Sequence, residues 1–208
     1  MARLIYMTTS GSQAHLSALR CFWTSQQWTS AYDIHVYSNR RLSHTWNEAV
    51  KRIPGRTHYI AVEPNTDRHQ EGAIRAIIYA RALFASYDWV IRTNPDVHVV
   101  DSNAFTRWMS EPAVHAILAN CNPDVRCTRS CPRALVHSDF QIFRPQHLQW
   151  NASSKLAEEH ATEMLRGARS HVRWLQQLGY RDRSCRIRAG VREKRPTVVH
   201  HHGMCVIP

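Results

Sequence analysis

Apolar residues follow two different spacings along the first hundred positions of the chain. Short runs rich in β-branched and aromatic residues are typical of buried strands, whereas apolar residues at i, i+3 and i+4 are typical of helices. The predicted strands are 4–7, 33–37, 59–62 and 89–91, and the predicted helices between them are 15–26, 46–53 and 70–85. Strands that alternate with helices predict βαβ units, and therefore an α/β fold with a mainly parallel sheet.

The last of these strands is interrupted. The segment 87–101, YDWVIRTNPDVHVVD, predicts a strand that stops at Asn94-Pro95-Asp96 and resumes at 97–101. In parallel α/β sheets the ligand binds beyond the carboxyl ends of the strands. We therefore expect Asp96 to face a ligand there, together with the polar residues that end the other strands. These are Thr8, Thr9, Ser10, Ser38, Asn39, Glu63 and Asn65.

The second half of the chain has a different pattern. Residues 114–119 and 140–143 predict two further strands, separated by a loop that contains several cysteines. Ser153 or Ser154 is expected to cap a helix that runs to residue 178, with a break near Gly167. A final strand at 197–199 leads into three consecutive histidines.

Length and charge narrow the functional classes. The 208 residues suit a single domain, and Lys plus Arg exceed Asp plus Glu to give a net charge of +11. This excess favours anionic partners such as phosphates, nucleic acid or an anionic membrane surface. Because the basic residues are scattered, an ordinary solvated basic surface explains the charge equally well.

The cysteines and the start of the chain indicate a reduced, non-secreted protein. Residues 1–11 lack the apolar core of a signal peptide, and no apolar run approaches the roughly 20 residues that span a bilayer. We expect a cytoplasmic protein with mostly reduced thiols; if the sequence is a domain excised from a longer protein, its location stays open. A zinc site at Cys121, Cys127, Cys131 and His137 is disfavoured, because only Cys127 and Cys131 have the spacing of a zinc-binding pair.

Three motifs, in order along the chain, resemble those of GT-A glycosyltransferases. Asn94-Pro95-Asp96 resembles the acidic DxD element after the fourth strand, and 137–145 resembles the strand beside the acceptor pocket. The segment 197–203, TVVHHHG, resembles the C-terminal V-V-H-x-x-G element of glycogenin-type members. The chain is also similar to the small GT-A domains that large algal viruses use on their capsids, in which case the host cytoplasm is its expected location.

This resemblance implies a single GT-A domain over 1–208, with a mixed, mainly parallel sheet flanked by helices. Residues 1–101 would form the nucleotide-sugar-binding half, and 102–208 the acceptor half with a C-terminal metal-binding strand. Asp96 and His200 would bind Mn²⁺ or Mg²⁺, which bridges the two phosphates of the donor. The implied partners are a nucleotide-sugar donor, with UDP expected as the nucleotide, and a glycan or glycoprotein acceptor, without nucleic acid or a membrane span.

The chemistry fits these residue types. Cleaving the sugar–phosphate bond leaves a nucleoside diphosphate with new negative charge, which a divalent cation can neutralise. Hard cations prefer oxygen ligands, and Mn²⁺ also accepts an imidazole. Arginines can add bidentate contacts to phosphate. The predicted nucleotide-sugar-binding residues are Thr8, Thr9, Ser10, Asn39, Arg75, Arg92, Asn94 and Asp96.

Asn94 departs from the family pattern, because it replaces the first acid of the motif. At 4 Å and an effective dielectric constant of 20, one unit-charge interaction contributes about 4 kcal/mol. We therefore expect weaker metal binding, or more dependence on the phosphates of the nucleotide. A relative that binds nucleotide-sugar without transferring it stays open.

Asp139 is the predicted catalytic residue. If the reaction inverts the sugar, a general base must deprotonate the acceptor hydroxyl, and Asp139 is favoured over Asp124 and His137. If the reaction retains configuration, Asp139 only positions the acceptor. The sequence leaves both routes open. Three tryptophans could stack on sugar rings or belong to the core: Trp108, Trp150 and Trp174.

A basic nucleic-acid-binding protein is the alternative from another class. It is motivated by the net charge of +11 and by the arginine-rich segment 181–195. No helix-turn-helix, RNP or zinc-finger pattern accompanies that segment, so the specific signal of such a protein is missing.

Overall fold

The computed structural model describes residues 1–63, 69–120, 136–153, 157–166, 171–175, 178–181, 187–188 and 198–201. The strands are β1 (Arg3–Thr9), β2 (Asp33–Ser38), β3 (Thr57–Val62), β4 (Trp89–Thr93), β5 (Val97–Val99), β6 (Ala116–Asn120), β7 (Val136–Phe143), β8 (Val172–Trp174), β9 (Leu178–Arg181), β10 (Ile187–Arg188) and β11 (Val198–His201). The helices are α1 (Gln13–Phe22), α2 (His44–Lys51), α3 (His69–Tyr79), α4 (Arg81–Phe84), α5 (Asn103–Met109) and α6 (Ala157–Met164), with short 3₁₀ helices at Trp23–Ser25, Gln27–Ala31 and Pro145–His147.

The main sheet has seven strands in the order β3-β2-β1-β4-β7-β6-β8. Strands β3, β2, β1 and β4 are parallel to one another, and β7 is antiparallel to both β4 and β6. The predicted mixed, mainly parallel α/β sheet in a single domain is confirmed. The strand order reverses between β1 and β4, and the crevice at such a reversal is where open α/β sheets bind ligands.

A second sheet explains the interrupted strand at 87–101. Its four strands lie in the order β10-β9-β11-β5. The chain leaves the main sheet at the end of β4, turns through Asn94-Pro95-Asp96, and enters the second sheet as β5. The amide of Val97 donates to the carbonyl of Asn94 at 3.2 Å, which closes the turn. The polar triplet therefore lies where the two sheets meet.

Both faces of the main sheet are covered. On one face, α1, α2 and α5 contribute Leu19, Trp46 and Phe105 to a core that includes Ile5 and Ile91. On the other face, α3, α4 and α6 contribute residues such as Ile77, Phe84 and Met164 to a second core. Strands buried on both faces are typically continuous apolar runs, as observed for β1 and β4. Of the helices that the structure describes, none has the length and apolar character to cross a bilayer.

Helix α1 begins directly after the first strand. Gly11 has a φ of +66°, a left-handed conformation that favours glycine, and it makes the turn out of β1. Ser12 caps the helix, because its hydroxyl accepts a hydrogen bond from the amide of His15 at 3.2 Å. This short connection holds the first turn of α1 at the carboxyl end of the sheet.

Several predicted boundaries are wrong. The helix predicted up to residue 178 ends as α6 at Met164, and Val172–Trp174 and Leu178–Arg181 are strands. The physical reason is tertiary pairing, because β8 pairs with β6 and β9 pairs with β11, and such pairing overrides weak local helix preference. The helix predicted at 70–85 is divided at Ala80, and the one at 15–26 ends at Phe22.

Some predicted features lie outside the described residues. These are the loop with Cys121, Asp124, Cys127 and Cys131, the strand end at Asn65, and the arginine-rich segment 181–195 apart from residues 181, 187 and 188. Within the described chain, Cys21 is a free thiol.

Candidate active site

Three strands meet at the carboxyl end of β4. The register pairs Thr93 of β4 with Phe140 of β7, so the next position brings Asn94 beside Asp139. The amide of Asn94 donates to the carbonyl of Asp139 at 3.1 Å. Because β1 lies on the other side of β4, Thr8 approaches Asn94 from the opposite direction.

The side-chain amide of Asn94 joins all three strands. Its Oδ1 accepts a hydrogen bond from the hydroxyl of Thr8 at 2.7 Å. Its Nδ2 donates to Oδ1 of Asp139 at 2.8 Å. Both halves of the amide therefore have defined partners, which fixes its orientation.

Arg92 lies beneath this group and is only 1% exposed. Its Nη2 donates to the hydroxyl of Thr8 at 2.8 Å, and its Nη1 lies 3.7 Å from Oδ1 of Asp139. A buried guanidinium is costly unless a carboxylate accompanies it. Asp139, whose side chain is 23% exposed, provides that charge while still reaching the surface.

Asp96 points toward the first turn of α1. Its side chain is 15% exposed, and its Oδ2 lies 3.6 Å from Nε2 of His15. The other ring nitrogen of His15, Nδ1, is 3.0 Å from the hydroxyl of Thr9. The sequence did not distinguish His15, because an imidazole in the first turn of a helix has no local signal of its own.

The turn that carries Asp96 is fixed from below. The carbonyl of Pro95 accepts a hydrogen bond from Nε1 of the buried Trp23 at 3.0 Å. His98 stacks on Phe22, with ring centroids 4.4 Å apart and an interplanar angle of 8°. Side chains locked by packing hold a site close to one geometry, so Asp96 is presented on a rigid support.

The second sheet brings the backbone of His200 to the same place. Strand β11 is antiparallel to β5, and its register pairs His200 with Val97 and Val199 with His98. The backbone of His200 therefore lies opposite the residue that directly follows Asp96, although the two are far apart in sequence.

The other predicted site residues differ in their exposure to solvent. Thr8 and Thr9 are buried and Ser10 is exposed at the end of β1. Oδ1 of Asn39 is buried and has no hydrogen-bond partner among the described residues. Arg75 lies on the exposed face of α3. Trp108 and Trp150 are partly buried and pack against the two cores, as the core alternative predicts; the side chain of Trp174 lies outside the described part.

A divalent cation at this site would take few ligands from the protein and the others from substrate phosphates. Among the side chains that the structure describes, no group of three or more His, Cys, Asp or Glu could hold a metal ion by itself. A carboxylate from Asp96, an imidazole from residue 200 and phosphate oxygens would suit Mn²⁺ or Mg²⁺, which are commonly bound by few protein ligands together with substrate phosphates.

No family model and no curated protein matches the chain. Solved structures do match it. The galactosyltransferase LgtC in complex with donor and acceptor sugar analogues has a TM-score of 0.59 at 10% identity, over 97% of this chain and 87% of that chain. Mouse xyloside xylosyltransferase 1 has a TM-score of 0.58 at 10% identity, over 100% of this chain and 99% of that chain.

A third similar structure contains both a metal and a nucleotide-sugar. The mannosyltransferase PcManGT from Pyrobaculum calidifontis, in complex with GDP-Man and Mn²⁺, has a TM-score of 0.51 at 11% identity. The match covers 83% of this chain and 54% of that chain, so this chain spans about half the length of that enzyme. These likenesses show that the chain has the GT-A fold.

Proposed function

We propose that the protein is a glycosyltransferase that moves a sugar from a nucleoside-diphosphate sugar to a glycan or glycoprotein acceptor, with a divalent cation at the diphosphate. The observation that carries this proposal is the register between β5 and β11, which brings the backbone of His200 beside the turn that holds Asp96. Both lie at the strand-order reversal of a GT-A fold, where a nucleotide is expected.

The base of the donor is less constrained than the reaction class. UDP is the expectation from the glycogenin-type resemblance, whereas the mannosyltransferase neighbour binds GDP-Man. Asn39 and Ser10 lie at the carboxyl ends of β2 and β1 and are our candidates for contacts with the nucleoside. The resemblance to viral GT-A domains, and with it the host cytoplasm, also stays a prediction.

The residues of the site would have separate roles in binding the donor. When bound, the cation would supply Lewis-acid stabilisation of the charge that develops on the leaving diphosphate. Asp96 and His200 would hold it. Arg92 would support the site from beneath, because it donates to the hydroxyl of Thr8 and lies beside Asp139. Arg75 would contact phosphate from α3.

Asp139 would act on the acceptor side. It lies on β7, across Asn94 from β1, and it is partly exposed. In an inverting reaction its carboxylate would take the proton from the acceptor hydroxyl. In a retaining reaction it would orient that hydroxyl. Analysis of the anomeric product by NMR distinguishes the two routes.

A thermal-shift panel tests the proposal. UDP-, GDP- and CMP-sugars are added with and without Mn²⁺, and release of nucleoside diphosphate is measured for any that bind. A ligand at 100 times its Kd stabilises the folded state by about 2.7 kcal/mol, which raises the Tm of a domain of this size by roughly 5 to 10 °C. Absence of any shift contradicts the proposal; salt-sensitive DNA binding in the same samples would then favour the nucleic-acid alternative.

A further inference from the structure

Four side chains at the end of β4 form a closed ring of directed contacts. Arg92 donates to the hydroxyl of Thr8, that hydroxyl donates to Oδ1 of Asn94, and Nδ2 of Asn94 donates to Asp139. The ring closes where Nη1 of Arg92 lies 3.7 Å from Oδ1 of Asp139. An arginine only donates and an ionised carboxylate only accepts, so the direction of every contact is determined.

Position 94 in this ring requires a group that accepts on one side and donates on the other. A side-chain amide does both, whereas a carboxylate only accepts. An aspartate at 94 would direct a second carboxylate oxygen at Asp139 across the 2.8 Å now occupied by a hydrogen bond. Like charges at such a distance repel strongly, and the donor that holds Asp139 would be lost.

We propose that Asn94 is a positioning residue for Asp139, and that the second carboxylate of the site resides on β7 at position 139 rather than at 94. In this proposal the amide of Asn94 is required to orient Asp139, and it is not a substitution that merely weakens metal binding. The role of the pair in transfer rests on the proposed function. The coupling between the two side chains does not, because it can be measured without metal or nucleotide.

A double-mutant cycle on the full chain, without metal or nucleotide, tests the coupling. Asn94→Asp should lower the Tm by roughly 4 to 8 °C, because a hydrogen bond is replaced by a repulsive contact. In Asn94→Asp combined with Asp139→Asn, the amide and the carboxylate exchange places, so a donor again faces an acceptor. The double variant should be more stable than the sum of the two single effects predicts, by roughly 2 to 4 °C in Tm, although Arg92 then lacks a carboxylate at position 139.

The control for the added charge is Asn151→Asp, on an exposed turn away from the site, which should leave the Tm unchanged within about 1 °C. Additive effects of the two single substitutions would overturn the proposal, since residues without coupling add. So would an Asn94→Asp variant as stable as the native protein.

Metal binding supplies a second readout. The Mn²⁺ affinity is measured by EPR titration in the presence of the nucleotide that binds best in the thermal-shift panel. If position 94 were a metal-ligand position that lacks its acid, Asn94→Asp would restore that ligand. The variant should then bind Mn²⁺ at least about tenfold more tightly. We expect instead no gain in affinity, and recovery of nucleotide-sugar binding in the exchanged double variant. A tenfold gain would overturn the proposal.

The two proposals fail separately. If the native protein responds to no nucleotide-sugar but the cycle shows coupling, the proposed function is wrong and the Asn94–Asp139 pairing stands. If the native protein binds a nucleotide-sugar but the cycle is additive, the function stands and the positioning role of Asn94 is wrong.

Discussion

The two carboxylates of the candidate site are held in different ways. Asp139 accepts a hydrogen bond from Asn94 at 2.8 Å and lies 3.7 Å from the permanently charged Arg92. Asp96 lies 3.6 Å from His15, beyond ordinary hydrogen-bond distance, and its neighbour carries a charge only when protonated. Asp139 is thus held by a short hydrogen bond within the ring, whereas the contact between Asp96 and His15 is longer.

This difference separates the roles of the two acids. A carboxylate that is tied into a ring of side chains is suited to orienting a substrate group. A carboxylate on a rigid turn beyond the end of β4 is suited to a cation that arrives with the nucleotide. In the proposed function the metal belongs to Asp96 and the acceptor to Asp139, and the following changes should separate the two.

The largest effect is expected from Asp96→Ala. Transfer should fall by about a thousandfold, because the protein loses a ligand of the charge-stabilising cation. The metal-dependent thermal shift should disappear, while the Tm without ligand changes by no more than about 2 °C.

Asp101→Ala is the control for that change, since Asp101 is an exposed acid at the other end of β5. It should keep the full thermal shift with Mn²⁺ and nucleotide-sugar. A metal-dependent shift that survives in Asp96→Ala would remove this residue from the site.

Arg92→Met should act on the other acid and mainly on stability. It leaves Asp139 without its buried cation, and breaking such a pair lowers the free energy of unfolding by about 3 kcal/mol, the lower end of the usual range because Asp139 is partly exposed. Urea unfolding monitored by tryptophan fluorescence measures the loss. Adding Asp139→Asn should restore part of it; an Arg92→Met protein of native stability would contradict the ring.

A buried histidine outside the site should make the stability of the fold depend on pH, independently of the two site acids. Burial lowers the pKa of His35 from its ordinary value near 6.5 to about 4, because it disfavours the charged ring. Below pH 6.5 the unfolded chain binds a proton that the folded chain does not. The stability contributed by neutral His35 is therefore complete above pH 6.5 and is lost as the pH falls toward 4, by about 3 kcal/mol.

His35→Phe keeps a ring between Tyr6 and Tyr59 and removes this titration. The dependence of unfolding free energy on pH between 7 and 4.5 should flatten in the variant. If the slope of unfolding free energy against pH is unchanged in the variant, groups other than His35 cause the loss of stability at low pH. Variants of the two site acids would then have to be compared at a single pH.

The smallest effect is expected from His15→Asn. The amide of Gly11 donates to the hydroxyl of Thr9, and that hydroxyl can donate to Nδ1 of His15, which leaves the ring proton on Nε2 toward Asp96. Loss of such an orienting group usually weakens metal binding by 10- to 100-fold when the geometry is tight, so about tenfold is expected here. EPR titration with Mn²⁺ measures it. Tighter binding would show instead that His15 competes with the cation.

The parallel half of the fold was predictable because its signals are local. Each strand from β1 to β4 contains a short segment rich in β-branched and aromatic residues, and the helices between them have regular apolar spacing. The polar ends of these strands indicated the edge of the sheet that carries the site. Local spacing was sufficient there because sequential strands and helices pack against each other.

The rest depends on pairings between distant segments. Strands β8 and β9 are short, contain few β-branched residues and exist through their partners β6 and β11, so local spacing predicted a helix. The ring around Asn94 needs the register between β4 and β7, which no local pattern encodes. His15 could not be distinguished from an ordinary helix residue, because its role comes from the turn opposite it.

The position of the cation itself decides between these assignments. Crystals grown with Mn²⁺ and a nucleoside diphosphate, measured at the manganese absorption edge, would give an anomalous peak at the bound ion. We predict a peak in contact with the carboxylate of Asp96, the side chain of His200 and the diphosphate, with Asp139 outside the coordination shell. A peak held by other residues, or a diphosphate bound away from both Asp96 and His200, would contradict the proposed site.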